Sequence, residues 1–304
     1  MRTFAGSRYF PYLLLIAGTF FWSTNFVLGR FLAGKIPPFT FCAGRFTVSA
    51  LIFAGMAAWY RWELPRGRQW AHLTAMALTG IFLFNSILYL ALSHTTALNA
   101  TLVNSLNPLL TVLMAMLFLG ERPGVRLWLG LLASVAGVFY IAAGGEAGLL
   151  LGFHFNRGDL FVLLGALIWG LYSIAVRVAT RELPVLLATA YANWIGVLFL
   201  YPVVYKEIQE RPVEFSAATL GVFVYLGIFA SVVAFICWNW SVRMIGPVKA
   251  TVFYNLIPLY AAVLSPLFLD EKLHLYHLAG GLLIVGGVLA GTGTGFREAK
   301  PRRD

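Results

Sequence analysis

The sequence predicts an all-α polytopic membrane protein, with ten transmembrane helices arranged as two inverted five-helix repeats (5+5) around a central cavity. Three observations predict it. Of 304 residues, 60% are hydrophobic and 11% charged, with a mean hydropathy of +0.81. Soluble chains average about 25% charged residues, so this one has too few polar side chains to cover a soluble fold. Residues 69–120 contain no Asp, Glu, Lys or Arg, a run long enough for two bilayer spans of about 20 residues each. Laid on itself at an offset near 150, the chain also matches in order.

Breaks at charges, Pro and Gly mark ten segments: 12–32, 39–60, 71–92, 96–119, 127–144, 159–180, 185–205, 217–240, 247–269 and 274–293. The first has Arg2 and Arg8 ahead of an apolar core, as a secretory signal would. Trp22, Ser23 and Asn25 stand where a small-residue cleavage site belongs, so it is expected to persist as a helix. The expected organisation is a tail over 1–11, a first repeat over 12–144 and a loop over 145–158. A second repeat follows over 159–293, and a basic tail over 294–304.

The net charge of +10 would point to nucleic acid in a soluble protein. Here it reads as loop charge meeting lipid headgroups, and no nucleic-acid partner is expected. Fifteen Lys and Arg fall on the side of the two termini and six on the other, leaving Arg45 inside the second span. That bias places both termini in the cytoplasm of a multi-pass cell-membrane protein, bacterial inner membrane by expectation. Cys42 and Cys237 both sit in apolar runs and indicate neither a disulfide framework nor a metal site.

The duplication is specific. At offset 147, Gly18, Trp22, Arg30 and Pro37 fall on Gly165, Trp169, Arg177 and Pro184. At offset 150, Ala100-Thr101, Pro108 and Phe118-Leu119-x-Glu121 fall on Ala250-Thr251, Pro258 and Phe268-Leu269-x-Glu271. Apolar helices match at Leu, Ala and Gly by composition alone, but ordered Trp, Arg, Pro and Glu matches do not arise that way. Five spans per copy is an odd number, so the second copy enters from the opposite face. In such inverted repeats substrate sits near the midplane, and one half rocks against the other.

Ten spans in two copies resemble the drug/metabolite transporter superfamily, in particular its EamA family of metabolite exporters. The resemblance rests on Phe21-Trp22-Ser23-Thr24-Asn25-Phe26 followed by Pro37 and Arg45-Phe46, and on the passage Tyr89 to Ala100. It also rests on the paired Leu119-Gly120-Glu121 and Leu269-Asp270-Glu271. It covers nearly the whole chain and implies export of amino acids or related metabolites through a central cavity.

Polar side chains in lipid belong to a bundle interior or a watery path. On the first span Gly18, Trp22, Asn25 and Gly29 share one helical face, and Gly165, Trp169, Tyr172 and Val176 repeat it on the sixth. Trp22, Asn25, Trp169 and Tyr172 are therefore expected to form opposite walls of one cavity. The fourth span sets Thr101, Asn104, Pro108 and Thr111 on one face, and the ninth sets Thr251, Tyr254 and Pro258 on the equivalent face, with Asn255 alongside. A mid-helix proline frees a carbonyl, so the pair suggests hinges or ligand contacts. The third span adds Asn85 and Tyr89, and the eighth adds Trp238 and Asn239. Arg45 either snorkels to the interface or meets a substrate carboxylate. Gly130, Gly137 and Gly144 recur every seven residues, as do Gly280 and Gly287, suiting close helix packing of the two halves.

No Asp or Glu falls within a span interior, so facilitated diffusion is the simplest expectation. No G-x-x-x-x-G-K-[ST] occurs, and no nucleophile–base or metal constellation is visible. The expected protein is a monomeric carrier without cofactor or catalytic role. Its partners are the lipid bilayer and a small-molecule substrate, an amino acid with an aromatic or other apolar side chain. The alternatives are nucleotide-sugar, nucleoside-type or drug-like solutes, and an intramembrane enzyme. The first of these calls for more intramembrane Lys and Arg, the last for polar residues gathered at one interface.

Overall fold

The structure is a computed structural model and describes residues 9–32, 35–60, 62–92, 94–95, 97–146, 148, 156–211, 213, 216–268 and 274–292. His154, Glu271, Lys272 and the basic C-terminal tail lie outside the described residues, as does the side chain of Tyr89. No strand occurs among the described residues.

The first repeat opens with α1 (Phe10–Phe31) and α2 (Pro38–Tyr60). Helix α3 covers residues 68–92 as Arg68–Met76, a wide π turn Ala77–Leu83 and Phe84–Leu92. Helix α4 covers residues 97–119 as Ala97–Asn104 and Asn107–Leu119, and α5 is Val125–Ala142. The second repeat runs through α6 (Arg157–Glu182), α7 (Val185–Glu210) and α8, residues 217–245, which again contains a π turn, Gly227–Val233. Helix α9, residues 247–268, includes a tight 3₁₀ turn at Val252–Asn255, and α10 is Leu275–Thr292.

By length and composition nine helical stretches among the described residues suit a membrane. The longest, Ala217–Leu264, has 48 residues and would extend about 72 Å at 1.5 Å per residue, over twice a bilayer core of about 30 Å. It breaks at Gly246, where φ 82° and ψ 161° leave helical space and Pro247 follows. The stretch is thus two passes, α8 and α9, consistent with ten.

Local chemistry sets several ends. Asn156 and Asp159 form a reciprocal cap on α6, the Asn156 side chain accepting from the Asp159 N–H and Asp159 from the Asn156 N–H. Ser216 caps α8 by accepting from the Thr219 N–H at 3.1 Å. Gly120 closes α4 at φ 66°.

The repeats share their irregularities. The two π turns lie 150 residues apart, and the break in α4 at Ser105–Leu106 answers the 3₁₀ turn in α9. The two prolines stand next to these irregularities. Pro108 stands in the first turn of Asn107–Leu119 and Pro258 in the first turn of Leu256–Phe268, where a missing N–H costs nothing. Pro108 restarts a helix broken at Ser105–Leu106, while Pro258 follows directly on the 3₁₀ turn of a continuous helical run. The break also ends the common face on α4: Thr101 is exposed while Pro108 and Thr111 are buried.

Helices α5 and α10 join the repeats by backbone proximity. A Cβ on Gly130 would overlap the carbonyl oxygen of Gly287, and one on Gly137 would stand 2.6 Å from that of Gly280. Gly130 corresponds to Gly280 and Gly137 to Gly287, so the contact is reciprocal, as a two-fold relation requires.

Candidate functional site at the repeat interface

The same relation brings Trp22 of α1 against its own counterpart, Trp169 of α6. Their rings meet edge to face, centroids 5.2 Å apart. Trp238 of α8 closes a triangle at 5.4 Å from Trp22 and 5.6 Å from Trp169. Tyr172, Phe235, Tyr254 and Phe84 surround it, with Phe84 4.9 Å from Trp169. Edge-to-face and tilted aromatic pairs contribute about 0.5–1.5 kcal/mol each beyond their burial. Trp22 is 7% exposed and Trp169 2%. The expected opposite walls are therefore in contact, and rings fill the centre in this state.

Polar atoms inside this shell divide into satisfied and unsatisfied. Trp22 Nε1 donates to the Ala230 carbonyl at 3.1 Å, inside the α8 π turn, where i→i+5 bonding leaves a carbonyl available. The counterpart carbonyl in α3 is Gly80, but Asn85 Nδ2 reaches it at 3.4 Å and Ile81 O at 2.7 Å. Trp169 Nε1 is left without a partner, and so are Trp238 Nε1, Thr251 Oγ1 and both amide atoms of Asn255. Tyr172 donates to Asn239 Oδ1 at 2.8 Å, and Asn239 Nδ2 donates to Thr189 at 2.9 Å. In the other half the corresponding pair is Asn25 and Tyr89. Asn25 Oδ1 is buried without a partner. Asn104 stands beside the Tyr254 side chain, its own counterpart 150 residues on, so α4 and α9 meet near the same pseudo-axis.

Arg45 does not snorkel. It is 5% exposed and turned inward, NH1 donating to Ser231 Oγ at 3.1 Å and NH2 to Asn85 Oδ1 at 3.0 Å. Its Cζ lies 4.1 Å from the Phe46 ring centre, and Nε has no partner. Among the described residues it has no ion-pair partner.

An open groove lies outside the ring cluster, none of whose residues lines it. A groove of about 380 Å³ runs among α1, α8 and α9 on the side away from the termini, lined by Thr24, Leu28, Gly221, Tyr225 and Leu264. The equivalent region on the side of the termini is closed: Arg68–Met76 packs along α6, and His72 stands 4.0 Å from Glu182. Further along that side, Arg177 donates to the carbonyls of Val242 and Arg243. Glu121 sits against the Gly246 turn, its carboxyl held above the usual range by burial despite the pull of Arg177, Lys249 and Arg181.

Sequence periodicity located Trp22, Trp169, Tyr172 and Tyr254 but not Phe235, the Ala230 carbonyl or Ser231. Phe235 has i, i+3, i+4 spacing with the expected Trp238 and Asn239, a signal that could have found it; only the π turn shows what that face meets.

The chain is similar to known proteins along its length. The EamA-like transporter family matches it twice, over residues 9–143 and 156–291. The transporter YyaM of Bacillus subtilis is 26% identical, the match covering 93% of each chain. A probable terminal-alkyne amino-acid exporter of Streptantibioticus cattleyicolor is 28% identical, covering 81% of this chain and 80% of that one. One solved crystal structure superposes with a TM-score of 0.78 at 24% identity, over 94% of this chain and 97% of the other, a likeness of fold.

Proposed function

Because the chain belongs to the EamA-like transporter family, we propose that this membrane transporter exports amino acids with aromatic or other apolar side chains. The observation that carries the reading is the ring cluster at the repeat interface, apolar on its faces yet holding the unpaired donors Trp169 Nε1 and Trp238 Nε1. Buried polar groups without partners are expensive, and a ligand that pairs them while stacking on the rings relieves that cost. The amino-acid exporter among the similar proteins supports the same class. Trp22, Asn25, Tyr89, Asn104, Pro108, Trp169, Tyr172, Tyr254, Asn255 and Pro258 are the residues we assign to the path. With both termini in the cytoplasm, the groove faces outward, the state in which an exporter releases its load. Rocking one repeat against the other would open the counterpart groove between α6 and α3 and close this one.

The test is uptake of labelled phenylalanine into proteoliposomes in competition with unlabelled amino acids and nucleosides. Tyrosine, tryptophan and leucine are expected to compete and adenosine and uridine not to. Competition by nucleosides alone would reject the amino-acid reading.

A further inference from the structure

Arg45, the eighth of the 23 residues of the membrane span α2, is a cation buried with neutral partners only. Its two hydrogen bonds go to an amide and a hydroxyl, Asn85 and Ser231; the neutral Cys42 thiol, one turn back on α2, also lies against it, and its Nε–H has no hydrogen-bond partner among the described residues. These contacts orient the guanidinium without neutralising it. Asn85 is itself fixed by the Ile81 carbonyl, Ser231 belongs to the α8 π turn, and Phe46 lies 4.1 Å from Cζ. A charge taken into a low-dielectric interior is normally paired, and an oriented one without a counter-ion is prepared for an anion that arrives from elsewhere.

We propose that Arg45 is the anion-recognition point of the transport site and that the transported molecule carries a carboxylate. The proposal rests on the reading of the aromatic centre as that site. Ser231 directly follows Ala230, the residue whose carbonyl accepts from Trp22, and Phe46 meets Phe235 at 5.7 Å, one ring from Trp22. The guanidinium is therefore joined to the ring cluster through Phe46 and Phe235.

The broken symmetry points the same way. In the second repeat the counterparts of Arg45 and Asn85 are Ala192 and Phe235, both buried. A strut needed to hold a π turn would be needed twice, since both turns exist. A ligand with one anionic end needs one cation. The planar fork of a single guanidinium matches a carboxylate, whereas di- and triphosphate groups call for several cations that the spans do not carry.

The experiment titrates the purified full-length protein, by tryptophan fluorescence, with phenylalanine, phenylacetate, phenylalaninamide and phenethylamine. The native protein is expected to bind the two carboxylates about tenfold or more tighter than the amide and amine. Arg45→Met is expected to remove that gap while still binding the amide and amine as the native protein does, and Arg45→Lys to keep part of it. An unchanged gap in Arg45→Met, or an equal loss for all four ligands, would overturn the proposal. So would a native protein with no preference for carboxylates, a result that needs no folded variant. Binding of phenylacetate without phenylalanine would reject the amino-acid reading and leave the role of Arg45 standing. Equal binding of phenylalanine and phenethylamine would do the reverse.

Discussion

Glu121 shows how a single residue ties charge to conformation. It ends α4 on the closed side of the bundle, against the Gly246 turn and near Arg177, Lys249 and Arg181. Burial raises its carboxyl pKa more than those cations lower it. A raised acid favours the neutral form in the folded state, so its stabilising contribution is full below the ordinary carboxylate range and fades as pH rises through the raised value. The native protein in detergent is therefore expected to gain melting temperature as pH falls from neutrality into the acid range. Glu121→Gln should melt higher than the native protein at neutral pH, and the gap should close on acidification; parallel pH profiles would contradict this. This environment is not legible in the sequence, because the cations gather from α6 and α9 and nothing local announces them. Arg45 was legible as an intramembrane charge, yet its direction was not. Snorkelling and inward pairing differ by the presence of Ser231, 186 residues away.

At the scale of elements, the ten segments read from charge, Pro and Gly correspond closely to the helices, since hydropathy and length set where a chain crosses lipid. The irregularities within them were not legible. Nothing in Ala77–Leu83 or Gly227–Val233 distinguishes a π turn from ordinary helix by composition, and the carbonyls they expose are taken up by Asn85 and Trp22 through tertiary contact. The α5–α10 seam is the opposite case, where glycines spaced by seven announced a close approach. Gly137→Val would drive a side chain into the Gly280 backbone, whose oxygen a Cβ at that position already approaches to 2.6 Å. Overpacking of a tight contact costs about 1–3 kcal/mol. The expected result is a lower melting temperature and loss of monodisperse protein in detergent. Gly286→Val, where nothing stands within 4 Å, should leave both unchanged.

Over the whole molecule, the pseudo-two-fold explains why residues nearly 150 apart touch their own counterparts: Trp22 with Trp169, and Asn104 with Tyr254. The duplication made this axis legible, and with it the helices that surround the centre. It did not reveal the state. Two identical halves would give a symmetric bundle, whereas here one groove is open and its counterpart is packed. That difference between like halves is what the proposed alternating access requires of one of its states. The proposed path through the aromatic centre is tested by one decisive measurement: counterflow of labelled phenylalanine in proteoliposomes containing native protein, Trp22→Ala or Trp169→Ala, each verified as folded. The account predicts saturable counterflow in the native protein and a loss of at least about tenfold in both variants, the size expected for removing a central aromatic anchor. Native rates in both folded variants would contradict it.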